Sequence, residues 1–179
     1  VVGGTGDDIL SGGAGTDAVS GGAGTDVISG GAGNDTLDGG AGIDTVSFVD
    51  ATSGITVDLS AGTATGSDTG SDTLSGFENV AGGSGRDTLK GNDEDNVLAG
   101  GSGADTYIVT DGDDTIITGD GFNAGDTLEI PFGYSIEEIE LSGTTGDLTI
   151  TLKDDDEVLH TVTVSDHANS PLASLRVYS

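Results

Sequence analysis

The sequence predicts an all-β solenoid, and three observations carry that prediction: a register of nine residues, a large aliphatic residue at one fixed place in it, and glycine at three others. Between Gly3 and Ser47 the chain reads GGTGDDILS, GGAGTDAVS, GGAGTDVIS, GGAGNDTLD and GGAGIDTVS. Each copy has the form G-G-x-G-x-D-x-U-x, with Leu10, Val19, Ile28, Leu37 and Val46 at U. A short fixed period means that like units stack, each covering its neighbour's apolar residue.

The division of each unit follows from its residue types. Glycine supplies backbone conformations that other residues adopt only at a cost, so the first six positions form a tight turn. The triplet x-U-x is extended and sends one side chain to the core. The carboxylates recur at Asp8, Asp17, Asp26, Asp35 and Asp44, and two units per coil bring every second one into the same stack. Stacked carboxylates repel one another, and a divalent ion between them removes that cost. Hard oxygen ligands without nitrogen or sulfur suit calcium.

The register returns further along as GGSGRDTLK from Gly82, GNDEDNVLA from Gly91, GGSGADTYI from Gly100 and VTDGDDTII from Val109. In this block Asp87 is expected to pair with Asp105, and Asn96, which replaces a carboxylate, with Asp114. Just before it, DTLSGFENV (Asp72 to Val80) reads as two shortened half-turns, with Asp72 and Asn79 near the ligand position. Between the blocks no nine-residue register exists. The alternation of Ile55, Val57 and Leu59, followed by Ser60-Ala61-Gly62-Thr63, predicts a β-hairpin excursion that covers a sheet edge.

From about Asp120 glycine thins out and alternating apolar stretches appear: Thr127 to Ile130, Ile136 to Leu141, Leu148 to Leu152 and Val158 to Val164. Turns at Gly143 to Gly146 and Asp154 to Asp156 separate them, and Pro171 precedes a last apolar run ending at Tyr178. These features predict a β-rich cap, which a solenoid needs on its open end. Phe122, Phe132, Tyr134 and Tyr178 fall here, where a compact core needs bulk. The expected organisation is a first repeat block over 1–47, an inserted hairpin over 48–71, a second block over 72–119 and a capping region over 120–179.

Five consecutive units of this form resemble the RTX (repeats-in-toxin) calcium-binding nonapeptide. The resemblance implies a parallel β-roll, a right-handed β-solenoid in which alternate units lie on opposite faces and each ion sits between loops i and i+2. It pairs Asp8 with Asp26, Asp17 with Asp35, and Asp26 with Asp44. It also implies ligand carbonyls at the second and fourth glycines: Gly4, Gly6, Gly13, Gly15, Gly22, Gly24, Gly31, Gly33, Gly40 and Gly42 in the first block, and Gly83, Gly85, Gly101 and Gly103 in the second. Several calcium ions, about five or more, follow from this pairing. What the family further implies is an extracellular bacterial module exported by type I secretion, with the secretion machinery as a partner in transit and an upstream domain of the same chain as its passenger. The chain opens on Val1-Val2, which fits the last two positions of a preceding repeat.

Composition bounds the partners. The formal charge is -28, from 32 acidic and 4 basic residues, which argues against nucleic acid or an anionic membrane. No apolar run is long enough to span a bilayer, and there is no cysteine for disulfide or thiol chemistry. A monomer is expected. Without cations, self-repulsion joins the backbone entropy of 34 glycines, and one buried aliphatic residue per nine does not overcome both. At free calcium about ten to a hundred times the dissociation constant, each site contributes roughly 1.4 to 2.7 kcal/mol. About five such sites match a domain's whole stability, so calcium decides folding.

Catalysis is not expected of this chain. It contains neither H-E-x-x-H nor G-x-S-x-G, and His160 and His167 stand without a supporting zinc pattern. Paired-carboxylate glycoside hydrolysis needs two acids in distinct environments, whereas this chain repeats one environment. A calcium-dependent adhesin module that contacts glycans or surfaces is the alternative. An ice-binding row of threonines on the loops is missing, because Thr5 is followed by Ala14, Ala23, Ala32 and Ala41. The run Asp154 to Glu157 is expected to be a solvated turn.

Overall fold

The computed structural model describes residues 1–119, 125–130, 135–142, 147–153 and 159–165. All regular structure among them is β. In the first block β1 (Val2–Thr5), β2 (Ile9–Ala14), β3 (Ala18–Gly24), β4 (Val27–Ala32), β5 (Thr36–Gly42) and β6 (Thr45–Ser47) alternate between two sheets. Like strands stack in parallel at an offset of 18 residues: Val19 lies beside Leu37 on one sheet, and Leu10 beside Ile28 on the other. Two units therefore make one coil, and the solenoid and its parallel stacking are borne out.

The inserted segment forms β7 (Ile55–Asp58), β8 (Thr63–Gly66) and β9 (Gly70–Ser75). The expected hairpin is the antiparallel pair of β7 and β8, and β9 extends it by pairing antiparallel with β8. It does not stand off as an excursion. After β6 the chain skips ahead to place β7 next to the second block, then folds back so that β9 lies parallel to β5.

The second block supplies β10 (Asn79–Ala81), β11 (Ser84–Gly85), β12 (Thr88–Lys90), β13 (Val97–Ala99), β14 (Ser102–Gly103), β15 (Thr106–Ile108), β16 (Asp114–Ile117) and β17 (Thr127–Glu129); β11 and β14 pair in a separate two-stranded sheet, and the others continue both stacks. One nine-stranded sheet runs β1-β3-β5-β9-β8-β7-β12-β15-β17. The other ends in β18 (Ser135–Ser142), β19 (Asp147–Lys153) and β20 (Leu159–Ser165) and runs β2-β4-β6-β10-β13-β16-β20-β19-β18. β20 is parallel to β16, and β19 and β18 follow antiparallel. Antiparallel strands thus replace the coils at this end. The expected turns at Gly143 to Gly146 and Asp154 to Asp156, the run from Pro171 to Tyr178, His167, and Phe122, Phe132, Tyr134 and Tyr178 lie outside the described residues.

The core is one column of U-position side chains. Ile28, Leu37, Val46, Leu89, Leu98, Tyr107, Ile116 and Leu128 are fully buried, and each removes from water an area worth roughly 1.5–3 kcal/mol. Aromatic bulk is not confined to the capping region: Phe48, Phe77 and Tyr107 are buried within the coils. Phe48 and Phe77 stand just after β6 and β9, where the regular loop is lost and a larger side chain fills the space. Ile9, which stands one place before the core-facing position of its unit, is exposed, and Leu10 at that position is partly buried.

Candidate metal centre

Every coil turns into its strand at the sixth position of the unit, and the side chains there form two ladders. On one side stand Asp8, Asp26, Asp44, Glu78, Asn96 and Asp114. On the other stand Asp17, Asp35 and Asp72, then, beyond the inserted strands, Asp87, Asp105 and Asp126. The linkage repeats along each ladder except at two places: Glu78 meets Asn96 through its carbonyl, which accepts from Asn96 Nδ2, and Asp87 Oδ1 accepts from Ile55 N–H in place of Asp72. The backbone N–H of Asp8 donates to Asp26 Oδ1 at 2.8 Å, that of Asp26 to Asp44 Oδ1 at 2.7 Å, and that of Asp17 to Asp35 Oδ1 at 2.8 Å. The return contact runs from the seventh residue of the next coil, as in Val27 N–H to the Asp8 carbonyl at 2.8 Å. Bonds to an ionised acceptor are about twice as strong as neutral ones, so each carboxylate fixes the coil before it.

Only one oxygen of each carboxylate is used this way. Oδ2 of Asp8, Asp17, Asp26, Asp35, Asp44 and Asp72 is buried with no hydrogen-bond partner. A buried carboxylate oxygen left unsatisfied costs several kcal/mol unless a proton or a cation meets it. The first glycine of the unit makes room for it: a Cβ at Gly21 would collide with Asp26 Oδ2 and with the Gly39 carbonyl oxygen of the next coil. Gly3 stands in the same relation to Asp8 and the Gly21 carbonyl. Carboxylate and carbonyl oxygens converge there with no nitrogen or sulfur, the donor set of a hard divalent cation. The carboxylates meet in stacked pairs, and no three His, Cys, Asp or Glu side chains gather at one point among the described residues.

The second and fourth glycines are left-handed throughout the first block, with φ from 93° at Gly31 to 147° at Gly42. Their carbonyls lie against the same-position glycine of the next coil, so that a Cβ at Gly22 would collide with the Gly4 carbonyl and one at Gly24 with the Gly6 carbonyl. Gly85, Gly101 and Gly103 share the left-handed conformation, and Gly83 does not. Gly83 instead donates its N–H to Asp87 Oδ2 at 3.2 Å.

The structure brings together the expected pairs 8 with 26, 17 with 35, 26 with 44, 87 with 105 and 96 with 114. Asp72, expected near the ligand position, joins them: its Oδ1 accepts from Asp35 N–H at 2.9 Å. Asn79 is not at the ligand position: it pairs with Thr45 inside the strand, and its neighbour Glu78 accepts from Asp44 N–H at 2.7 Å through Oε2. The shortened coil shifts the register by one residue. Asp126, beneath Asp105 at 2.9 Å, was also missed. The tripeptide Asp-Thr-U, shared by residues 35–37, 72–74, 87–89, 105–107 and 126–128, is the signal that finds it.

Burial raises the Asp72 carboxyl from its ordinary 3.8 to about 6 and that of Asp114 to about 7, and it raises Asp87 in the same direction. Each holds its proton more tightly than in water because the charged form is desolvated. Asp68, at the surface, is the opposite case. Hydrogen bonds from Thr52 and Ser53, first among them the Thr52 hydroxyl, hold it down at about 2, and they tie residues 52–53 to the inserted strands.

The family model of the RTX calcium-binding nonapeptide repeat, four copies long, matches residues 1–28, 15–46 and 72–107. No curated protein matches the chain. The matched segments carry both ladders, and the unmatched segment between them is the one that breaks the coil. Over 1–46 and 72–107 the chain carries RTX calcium-binding nonapeptide repeats, and those repeats fold as a β-roll of stacked parallel coils.

Proposed function

We propose that the chain is a calcium-gated folding module. At low calcium the stacked carboxylates repel and the glycine-rich loops stay disordered; at high calcium an ion enters between each pair of stacked loops and the coils close. The single observation that supports this reading is the row of buried, unpartnered Oδ2 atoms at Asp8, Asp17, Asp26, Asp35, Asp44 and Asp72. The ligands of each ion are the carboxylates of loops i and i+2 together with glycine carbonyls of the same loops. Calcium supplies charge neutralisation between the rungs, and the chain supplies the oxygens and the spacing.

In the setting that the family implies, the disordered form threads a type I secretion channel. Folding outside the cell then prevents its return and gives an upstream passenger domain a folded edge to build on. The proposed division of labour assigns 1–47 and 72–119 to the roll, 48–71 to the inserted strands and 120–179 to the cap. Circular dichroism of the chain in chelator and after calcium addition tests the gate. The expected outcome is coil in chelator and a cooperative gain of β signal with calcium. A full β signal in chelator at neutral pH overturns it.

A further inference from the structure

Three of the four loops of the second block close by a different device, while the loop 100–105 keeps the left-handed glycines of the first block at Gly101 and Gly103. In the loops 82–87, 91–96 and 109–114 the second residue is Gly83, Asn92 or Thr110: Gly83 is outside the left-handed conformation of its counterparts in the first block, and the other two are not glycine. With that change the second residue's N–H turns onto the side chain at the sixth position. Gly83 donates to Asp87 Oδ2 at 3.2 Å, Asn92 to Asn96 Oδ1 at 2.8 Å, and Thr110 to Asp114 Oδ2 at 3.3 Å. The oxygen that is orphaned in the first block is occupied here by the loop's own backbone.

Asn96 completes the device. Its side chain is 1% exposed, yet every polar atom is used. Oδ1 accepts from Asn92, while Nδ2 donates to the Glu78 carbonyl at 2.8 Å and to Asn92 Oδ1 at 3.0 Å. The backbone N–H of Asn96 donates to Asp114 Oδ1 at 3.1 Å. The two acceptors facing Nδ2 fix the amide's orientation, since a flip sets oxygen against oxygen. An N–H₂ group with two donors thus stands among oxygens where the ladder elsewhere leaves an oxygen bare. Neutral side chains extend the stitching: Asn79 Oδ1 accepts from Val97 N–H at 2.9 Å, Asn92 Nδ2 donates to the Phe77 carbonyl at 3.3 Å, and the Thr110 hydroxyl donates to the Asn92 carbonyl.

We propose that the loops 82–87, 91–96 and 109–114 close without a cation, the Asn96 amide doing an ion's work, so that the second block is a calcium-independent seed on which the calcium-dependent first block stacks. This rests on the calcium reading of the first block and confines the calcium gate to it, so that in chelator the second block keeps its own share of the β signal. Satisfied polar groups stabilise a buried network, and partly satisfied ones destabilise it. The loops 82–87, 91–96 and 109–114 sit on the satisfied side of that line, and the loops of the first block sit on the other.

Hydrogen exchange of the full chain, in chelator and in saturating calcium, separates the two proposals. In chelator the amides of β12, β13 and β16 are expected to stay protected while those of β3, β4 and β5 exchange at the rate of a disordered chain. If both blocks exchange freely in chelator and become protected together with calcium, the seed is overturned and the calcium gate stands. If the first block is protected in chelator, the gate itself fails. Asn96→Asp tests the mechanism at one atom, because it removes both Nδ2 donors and restores a carboxylate. It is expected to lower the chelator protection of β13 and β16 roughly tenfold or more, with recovery on adding calcium. Unchanged protection in chelator overturns the role given to the amide.

Discussion

The two repeat blocks share a ladder and differ in how each rung is finished. In the first, glycine at the second position takes the left-handed conformation, as at Gly22 with φ 112°, and the carboxylate below keeps a bare buried oxygen. In the second, three of the four loops replace or reorient that residue, and a backbone N–H fills the oxygen's need. The sequence departures there, Asn92 for glycine and Asn96 for aspartate, thus belong to a second solution of the same problem and are not simply lost sites. A bare oxygen makes stability conditional on a ligand; a satisfied one makes it a property of the chain.

The largest expected effect comes from removing one charge in each block. Asp26 lies between Asp8 and Asp44 and borders two proposed ion positions, so Asp26→Asn loses two linkage contributions, about 3–5 kcal/mol at saturating calcium. Asp87→Asn keeps one acceptor of the two that Ile55 and Gly83 use, at 2.9 and 3.2 Å, and costs about 1 kcal/mol. Calorimetric calcium titration and urea unfolding measure both. Equal losses of bound calcium in the two variants erase the distinction between the blocks.

A smaller effect follows from protons. For Asp72 and Asp114 the folded carboxyl pKa, about 6 and about 7, lies above the ordinary 3.8. The folded chain therefore binds the proton more tightly. The stabilisation is fully present below about pH 4 and is lost as the pH rises through 6 for Asp72 and through 7 for Asp114. In chelator, mild acid is expected to substitute in part for calcium. The circular dichroism β signal and exchange protection should be greater at pH 5 than at pH 8, with the coil around Asp114 gaining protection at higher pH than the coil around Asp72. A chelated chain that loses structure on mild acidification contradicts the burial of these groups.

How far this was legible in the sequence depends on whether a contact is repeated. Leu37 beside Val19 and Asp35 beside Asp17 follow from a fixed offset of 18, and the nine-residue register contains that offset. Asp72 sits 37 residues from Asp35 and Glu78 sits 34 from Asp44, and no local period yields either number. Their places are set by which strand of the inserted segment folds back onto β5, a matter of tertiary stacking. Residues 67–75, Ser-Asp-Thr-Gly-Ser-Asp-Thr-Leu-Ser, hold a degenerate unit whose Gly70, with φ 88°, lies against the Gly33 carbonyl. Its first two glycines are gone, and with them the pattern that marks a turn. The conformation of Gly83 was illegible for another reason: the residue is still glycine, and what differs is its surroundings, where an added Cβ would meet the carbonyls of Phe48 and Ala51.

The smallest expected effect concerns the joint between the blocks. Lys90 Nζ lies 3.0 Å from Asp58 Oδ2, with side-chain exposures of 32% and 28%, and the pair crosses from β12 to β7. Beneath it Val57 and Leu89 face one another, fully buried, and the two strands exchange parallel backbone hydrogen bonds. A half-exposed ion pair contributes about 0.2–1 kcal/mol and weakens with salt, whereas a buried aliphatic contact of this kind is worth about 2 kcal/mol or more. Lys90→Met is therefore expected to shift the urea midpoint slightly at low salt and not at all at high salt, with both blocks still unfolding as before. A loss of about 3 kcal/mol would mean that the inserted strands are pinned to the second block by charge and not by the Val57–Leu89 contact.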